Sequence, residues 1–496
     1  MNHPQISLAA VIAVLCAGAV GSVALPERAD SPRAAAVTAD VVGASAICPD
    51  LRQDRDVLRT RVSAGVAFAA DGVTGTGSLL AQPLSARGAP ARLPVDRPGQ
   101  VAVDLGSTVT GDALEVTARG PLAAGLELEQ VTRGEGGSSR GLAGLRCEAP
   151  KTEAWFVGGA TQVGDSLTLV MANPDDTPAL VDVVVWTSDG PADTRPGKGI
   201  SIPPRKRAAF PLDQIAPDKE WLAIHVVAQR GRVAAALRHA RLDGRTPKGV
   251  EWVPQALPPA TTVVVPGLPQ GPGRRILSVT NPGLDPTIVS FQLTTPDGQF
   301  VPTGMDALEV PAGTTLATEL ADLTDKYPAT VTVVSDGGPV IAGAFVYDLQ
   351  DGPIREIAYA GSALPLSGPA LLTDLVIDRP TESTLLLTAL GASATVDVTP
   401  VAIVGRQGAL PAPKRVTVTG GRTTTLKLST FLPPGATGRL AVEVRPAPGS
   451  APVYASRYLR EHGSRGPLTT MLVLQGAAQR VALPVVRRDP LVAVIR

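Results

Sequence analysis

The chain has 496 residues, with 47 Pro, 51 Gly and only 3% aromatics. That length calls for several domains, and turn residues at this density exclude long helices as the main element and favour many short strands. Lys+Arg and Asp+Glu balance at 45 each, which excludes a chain-wide electrostatic footprint for nucleic acid, while 44% hydrophobic residues exclude wholesale disorder.

Residues Ile6 to Leu25 form an uncharged run long enough to cross a bilayer as a helix. Residues 1–25 therefore read as an uncleaved transmembrane anchor, or as a signal segment cleaved near Ala24, where Ser22-Val23-Ala24 supplies small residues. Either reading places the bulk of the chain outside the cytoplasm, with the membrane as a partner through residues 6–25. Beyond this run there are two cysteines, Cys48 and Cys147. They are expected to form a structural disulfide in an oxidising compartment, closing a loop of about 100 residues at about 4–5 kcal/mol on the chain-entropy model. Residues 26–47 read as a flexible linker. Residues 48–150 read as a β domain closed by the bridge, with a short polar helix over Asp50 to Arg61.

An internal repeat follows. Leu167 to Pro174, then Val181 to Trp186 and the turn Thr187-Ser188-Asp189-Gly190, come back as Ile276 to Pro282, Val289 to Thr294 and Thr295-Pro296-Asp297-Gly298. Asn173-Pro174 and Asn281-Pro282 lie 108 positions apart and mark the same turn between two strands. Each copy closes near an Asp-Gly, Asp243-Gly244 and Asp351-Gly352, and opens near an aromatic, Trp155 and Trp252. The spacing predicts β-sandwich repeats over 151–250 and 251–355, of immunoglobulin-like or fibronectin-like size, and a divergent C-terminal sandwich over 356–496 without the Asn-Pro turn. The expected fold class is all-β, with tandem modules in a row beyond the N-terminal segment.

The chemistry-bearing residues are sparse. His225 lies inside an apolar strand pattern, where a satisfied imidazole is favoured over a metal ligand, and no His or Cys pair has zinc spacing. Gly164-Asp165-Ser166-Leu167 spells the nucleophile block of an esterase superfamily, yet Ser166 opens a predicted β-strand rather than a strand-to-helix turn. Asp175, Asp176 and Asp285 sit in the repeated turn without the acidic run of a calcium loop, and read as solvated. Arg205-Lys206-Arg207 reads as a solvated basic turn. The four Trp suit core and interdomain packing better than exposed glycan platforms.

The export-type run, Cys48-Pro49 and the aromatic-led repeats with Leu-x-x-x-Asn-Pro (Leu169 to Pro174, Leu277 to Pro282) are similar to an actinobacterial family of secreted or membrane-anchored proteins, the domain of unknown function 5719. The resemblance implies no activity, cofactor or site residue. The sequence thus leads to the expectation of a non-catalytic structural or protein-interaction component of the bacterial cell envelope, partnered by envelope proteins or cell-wall polymer and not by nucleic acid. A glycan- or polymer-binding protein using Trp155 and Trp252 is the alternative, and a secreted hydrolase acting through Ser166 the least favoured.

Overall fold

The structure is a computed structural model that describes residues 38–50, 58–68, 76–105, 111–193, 195–348, 356–378, 380–463, 466–477 and 479–482. It is all-β, and among the described residues the one α-helix is a single turn, Ala321–Thr324. The chain divides into two compact units. One comprises the two chain ends, where Thr38–Asp40 pairs with Arg480–Ala482. The other, residues 40–479, carries everything described below.

One strand plan is used four times in the larger unit. In module 2 the first, second and third strands are Glu153–Val157, Asp165–Asn173 and Ala179–Thr187, followed by short edge pieces and then Lys206–Pro211, Ala223–Arg230, Ala234–Asp243 and Thr246–Val253. Counting Ile200–Ile202 as the fourth strand, strands one, six, three and four share one sheet, and strands five, two, seven and eight lie in that order in the other. Module 3 runs from Thr262–Leu268 to Glu356–Gly361 and module 4 from Ala370–Ile377 to Gly466–Val473, with the same order. Module 1, from Gly43–Cys48 to Gly141–Arg146, follows it too.

Alternating burial in these strands sends one side chain in two into the space between the sheets. The third strand of module 2 buries Ala179, Val181, Val183 and Val185 in this way. Each module has its own apolar cluster, centred on residues such as Val62 and Val116 in module 1, Phe156 and Leu169 in module 2, Phe291 and Val331 in module 3, and Leu385 and Val442 in module 4.

The repeated segments occupy matching places, as second and third strands of modules 2 and 3. The borders differ from those read in the sequence. Asp243-Gly244 does not close a module; it is the hairpin turn into an eighth strand, Thr246–Val253, paired to the seventh. Trp252 therefore ends module 2 instead of opening module 3, and Glu356 belongs to the last strand of module 3, not to module 4. Gly43–Cys48 is the first strand of module 1, inside the stretch read as linker, and Leu58–Val66 is a strand where a helix was expected to end. The anchor segment, residues 1–25, lies outside the described residues, among which no helix is long and apolar enough to cross a membrane.

The modules do not stand in a row. They close into a ring in which the four eighth strands meet, module 1 against 2, 2 against 3, 3 against 4, and 4 back against 1. At the closing seam, Ala402 and Ile403 of module 4 pair in parallel with Gln100 and Val101 of module 1, merging two sheets into one of eight strands. Leu371, Val401 and Ala441 pack there against Val101. Leu459 and Leu468 pack on Val131 and Leu142.

Glycine allows the inner strands to approach. A Cβ on Gly141 would fall 2.4 Å from the Val250 amide nitrogen, and one on Gly144 2.6 Å from the Thr470 hydroxyl. Backbone cannot swing aside as a side chain can, so Gly141→Ala is expected to cost about 1–3 kcal/mol by overpacking the 1|2 contact. Gly43→Ala, with open space around its Cβ, is the control and should be within about 0.5 kcal/mol of the parent in urea unfolding.

Candidate functional site

The most polar buried place in the ring is its axis, built from the innermost strands. Glu251 projects from Thr246–Val253, and its Oε1 accepts the amides of Gly144 at 2.9 Å and Trp252 at 2.8 Å. The Gly144 amide is shared with Thr470 Oγ1 at 2.9 Å. Arg140, just before the eighth strand of module 1, places Nη1 3.4 Å from Glu356 Oε2 of module 3 and donates Nη2 to the carbonyls of Gly466 and Pro467 of module 4, each at 3.1 Å. All four modules thus contribute to one buried polar cluster. Burial pushes the carboxyls of Glu251 and Glu356 well above the ordinary range, outweighing the hydrogen bonds to Glu251 and the Arg140 charge beside Glu356.

A second buried group joins modules 2 and 3. His239 Nε2 is 2.9 Å from Asp165 Oδ1, and His239 Nδ1 is 2.7 Å from the Tyr359 hydroxyl. Burial lowers the imidazole's pKa despite the carboxylate, and burial raises the Tyr359 phenol well above its usual value. The neutral tautomer with the proton on Nε2 satisfies both contacts, donating to Asp165 and accepting from Tyr359. Ser166 follows Asp165 in the strand, so its side chain leaves on the opposite face. Both ring nitrogens of His239 are occupied, by Asp165 and Tyr359, and the Gly-Asp-Ser-Leu segment contributes its Asp to this tie.

Cys48 and Cys147 are joined, linking the first strand of module 1 to the residue after its eighth. Asn173 and Asn281 are buried and play one role: Asn173 Nδ2 donates to the carbonyls of Thr177 and Ile202, and Asn281 Nδ2 to those of Asp285 and Val310. Each Oδ1 accepts an amide two residues on, from Asp175 and Gly283, while Pro174 and Pro282 fix φ in the turn. Asp175 pairs with Arg232 at 3.1 Å. No group of three metal-ligating side chains occurs among the described residues. His225 stacks on Trp155 with ring centroids 3.6 Å apart, and Trp155 in turn on Trp186 at 5.6 Å. Glu153 Oε1 lies 2.8 Å from His225 Nε2 and accepts the Trp155 indole N–H at 2.7 Å.

Trp155, Trp186 and Trp252 are buried in seams, and Trp221 meets Phe345 of module 3 edge-on. Arg205 and Arg207 are not a free basic turn: they reach Glu115 at 2.8 Å and Asp50 at 3.2 Å in module 1. The sequence reading passed over His239, Tyr359, Glu251, Glu356 and Arg140. A signal was present in two of them, since Glu251 and Glu356 stand in the otherwise apolar runs Val250 to Val253 and Glu356 to Ala360.

The fold and its axis define an all-β protein of four two-sheet modules closed around a buried polar cluster. The sequence matches the family of unknown function DUF5719 over residues 102–429, which reaches into all four modules, and the chain belongs to that family. No curated protein matches it. Among solved structures, a GH78 family rhamnosidase of Bacillus sp. GL1 is similar at 14% identity, covering 89% of this chain and 55% of that one, with a TM-score of 0.12.

The buried carboxyls give a pH signature. The folded protein holds Glu251 protonated above the ordinary range, whereas the unfolded chain releases that proton near pH 4.5. The folded state then binds more protons, so this group's contribution to stability falls as pH rises above about 4.5, by about 1.4 kcal/mol per unit of pKa difference. Thermal melts at pH 5 and pH 8 should show Glu251→Gln gaining on the parent at the higher pH; an unchanged difference would contradict a neutral Glu251. Tyr359→Phe leaves His239 Nδ1 without its donor in a dry site and should cost about 1–3 kcal/mol in urea unfolding.

Proposed function

We propose that the chain is an extracytoplasmic, membrane-tethered, non-catalytic ring that acts as a structural or protein-interaction component of a bacterial cell envelope. The observation that carries this reading is the buried Cys48–Cys147 bridge. It follows a 20-residue apolar run, and disulfides persist in oxidising compartments. The modules are of immunoglobulin-like size. Strands two and five pair, and strands three and six pair, as in immunoglobulin sheets, with the first and seventh strands exchanged between the two.

The polar clusters favour the same reading. The hydrogen-bond capacity of the His239 ring and the contacts of Arg140 are turned inward, onto neighbouring modules. A depression beside the axis, between Leu145, Phe156, Pro254 and Leu472, has a volume of about 30 Å³, room for about two waters. Partner recognition then falls to outer faces and loops held by a rigid frame. With Trp155 and Trp252 buried in seams, the glycan-stacking alternative has no platform at those two positions.

Fractionation of a bacterium expressing the full chain tests the reading. The protein should stay with membranes through carbonate extraction, be digested when protease is added to intact protoplasts, and resist thiol alkylation at Cys48 and Cys147 until reduced. A soluble, protease-protected chain with two free thiols would sink the proposal.

A further inference from the structure

Among the described residues, half of one sheet face in module 1 is left open, and its chemistry is distinctive. Gly43–Cys48, Leu114–Arg119, Ser78–Pro83 and Ala91–Arg92 lie side by side in this sheet. Alternation turns Ala46, Cys48, Leu79, Val116 and Ala118 into the core and their neighbours outward. At one end the outward face is covered by module 2, where Ile47 packs with Ala172 and Ala234 and Glu115 pairs with Arg205.

At the other end Gly43, Arg119 and Ser78 lie opposite one another, and in the row beside them Ser45, Thr117, Leu80 and Arg92. Arg92 donates to the Gly77 carbonyl at 3.1 Å, and Gly77 itself lies against the Arg119 carbonyl, so the two arginines flank one corner. Arg97 stands on the adjoining loop, beside Asp96, the one acidic residue between Ser85 and Gly99. Arg92, Arg97 and Arg119 are exposed and form no ion pair among the described residues, and between Arg92 and Arg119 the face offers hydroxyls and no carboxylate. At its rim Val42 is 72% exposed while its carbonyl is held by the Gly120 amide at 2.9 Å.

We propose that this face, through Arg92, Arg97, Arg119 and Val42, docks onto an anionic lipid surface. Positive charge with no ion pair among the described residues, hydroxyl donors and one apolar tip match phosphate headgroups at a bilayer surface. Lipid is favoured over a soluble anionic polymer because the chain reaches this edge at Val42-Gly43, and residues 26–42, at most about 60 Å when extended, separate it from the apolar run. The inference rests on the tether proposed above.

The test uses the full chain in nanodiscs, in a Cys16→Ser background, with Val42→Cys carrying an environment-sensitive fluorophore. Co-elution with neutral phosphatidylcholine discs is measured first; failure to co-elute sinks the tether and is distinct from failure to dock. For incorporated protein, discs containing phosphatidylglycerol should give a blue-shifted emission that neutral discs do not. The shift should disappear at about 0.5 M salt. Arginine-to-alanine changes at positions 92, 97 and 119 should weaken docking roughly five-fold each. Equal emission in neutral and anionic discs, or indifference to both salt and the triple change, overturns the proposal. A polyglycerol phosphate that produces the shift in neutral discs assigns the face to a polymer and overturns it as well.

Discussion

The close approach of four innermost strands around one axis is the constraint from which the rest of the ring follows. A sandwich of this strand plan leaves its eighth strand protruding beyond the first strand of the facing sheet, with one apolar side uncovered. In module 3 that side carries Ile357 and Tyr359, and both are buried in the core of module 2. Met471 of module 4 enters the core of module 3 in the same manner, and Val250 and Trp252 of module 2 lie against Ala143 and Leu145 of module 1. Modules 3 and 4 thus complete the cores of modules 2 and 3, whereas the 1|2 and 4|1 seams bury apolar clusters of their own. The four seams return to the start, so every module has a neighbour on both sides and none is terminal, the position that linear arrays protect with polar caps.

The closing step differs from the other three because no linker joins its partners. It is also the most charged. Arg457 is fully buried with Nη2 2.5 Å from Glu129 Oε1, and Arg439 spans Asp374 of its own module and Asp104 of module 1. Ser63 and Thr373 share a hydrogen bond of 2.6 Å between the same two modules. Buried ion pairs add little net stability against apolar packing of equal volume, but an incorrect register would strand their charges. The pairs at this seam therefore fix which strand of module 4 meets which strand of module 1, where chain connectivity gives no help. At the covalently linked 3|4 seam the contacts include Thr330 to Thr388 at 2.8 Å and the Arg422 guanidinium on the Pro296 carbonyl.

What could be read in the sequence was local. The 108-residue spacing found the second and third strands because Asn173 and Asn281 each tie a turn to the chain 29 residues on, at Ile202 and Val310, which holds the spacing as well as the residue. Module 4 reaches the same turn differently: the Gly421 amide bonds the Ala389 carbonyl and the Gly420 amide bonds Ser393 Oγ, so a search for Asn-Pro passes it by. The eighth strands were hidden for the converse reason. A hairpin turn at Asp243-Gly244 and a turn between modules have the same composition, and only pairing to Ala234–Asp243 tells them apart. Ring closure left no sequence signal, since every contact that makes it joins residues hundreds of positions apart. The polar axis was legible in part, as glutamates interrupting apolar strands, but not its partner Arg140, which lies in a Gly/Ser-rich segment that reads as a loop.

The same geometry bears on where function can reside. In an ordinary sandwich a buried His-Asp contact with a tyrosine nearby would invite a catalytic reading, and here both groups sit on adjoining strands of one sheet. The decisive feature is the origin of Tyr359: it belongs to the next module and can reach His239 only when the ring is assembled. The tie spans a seam and commits both imidazole nitrogens, so it forms only where modules 2 and 3 are in contact. The axis is built in the same way, because the Arg140 contacts draw on modules 1, 3 and 4 together and displacing module 3 or module 4 removes the contact it supplies. The buried polar groups of the axis and of the His239 tie thus join modules to one another, and through them the outer faces are set in one arrangement.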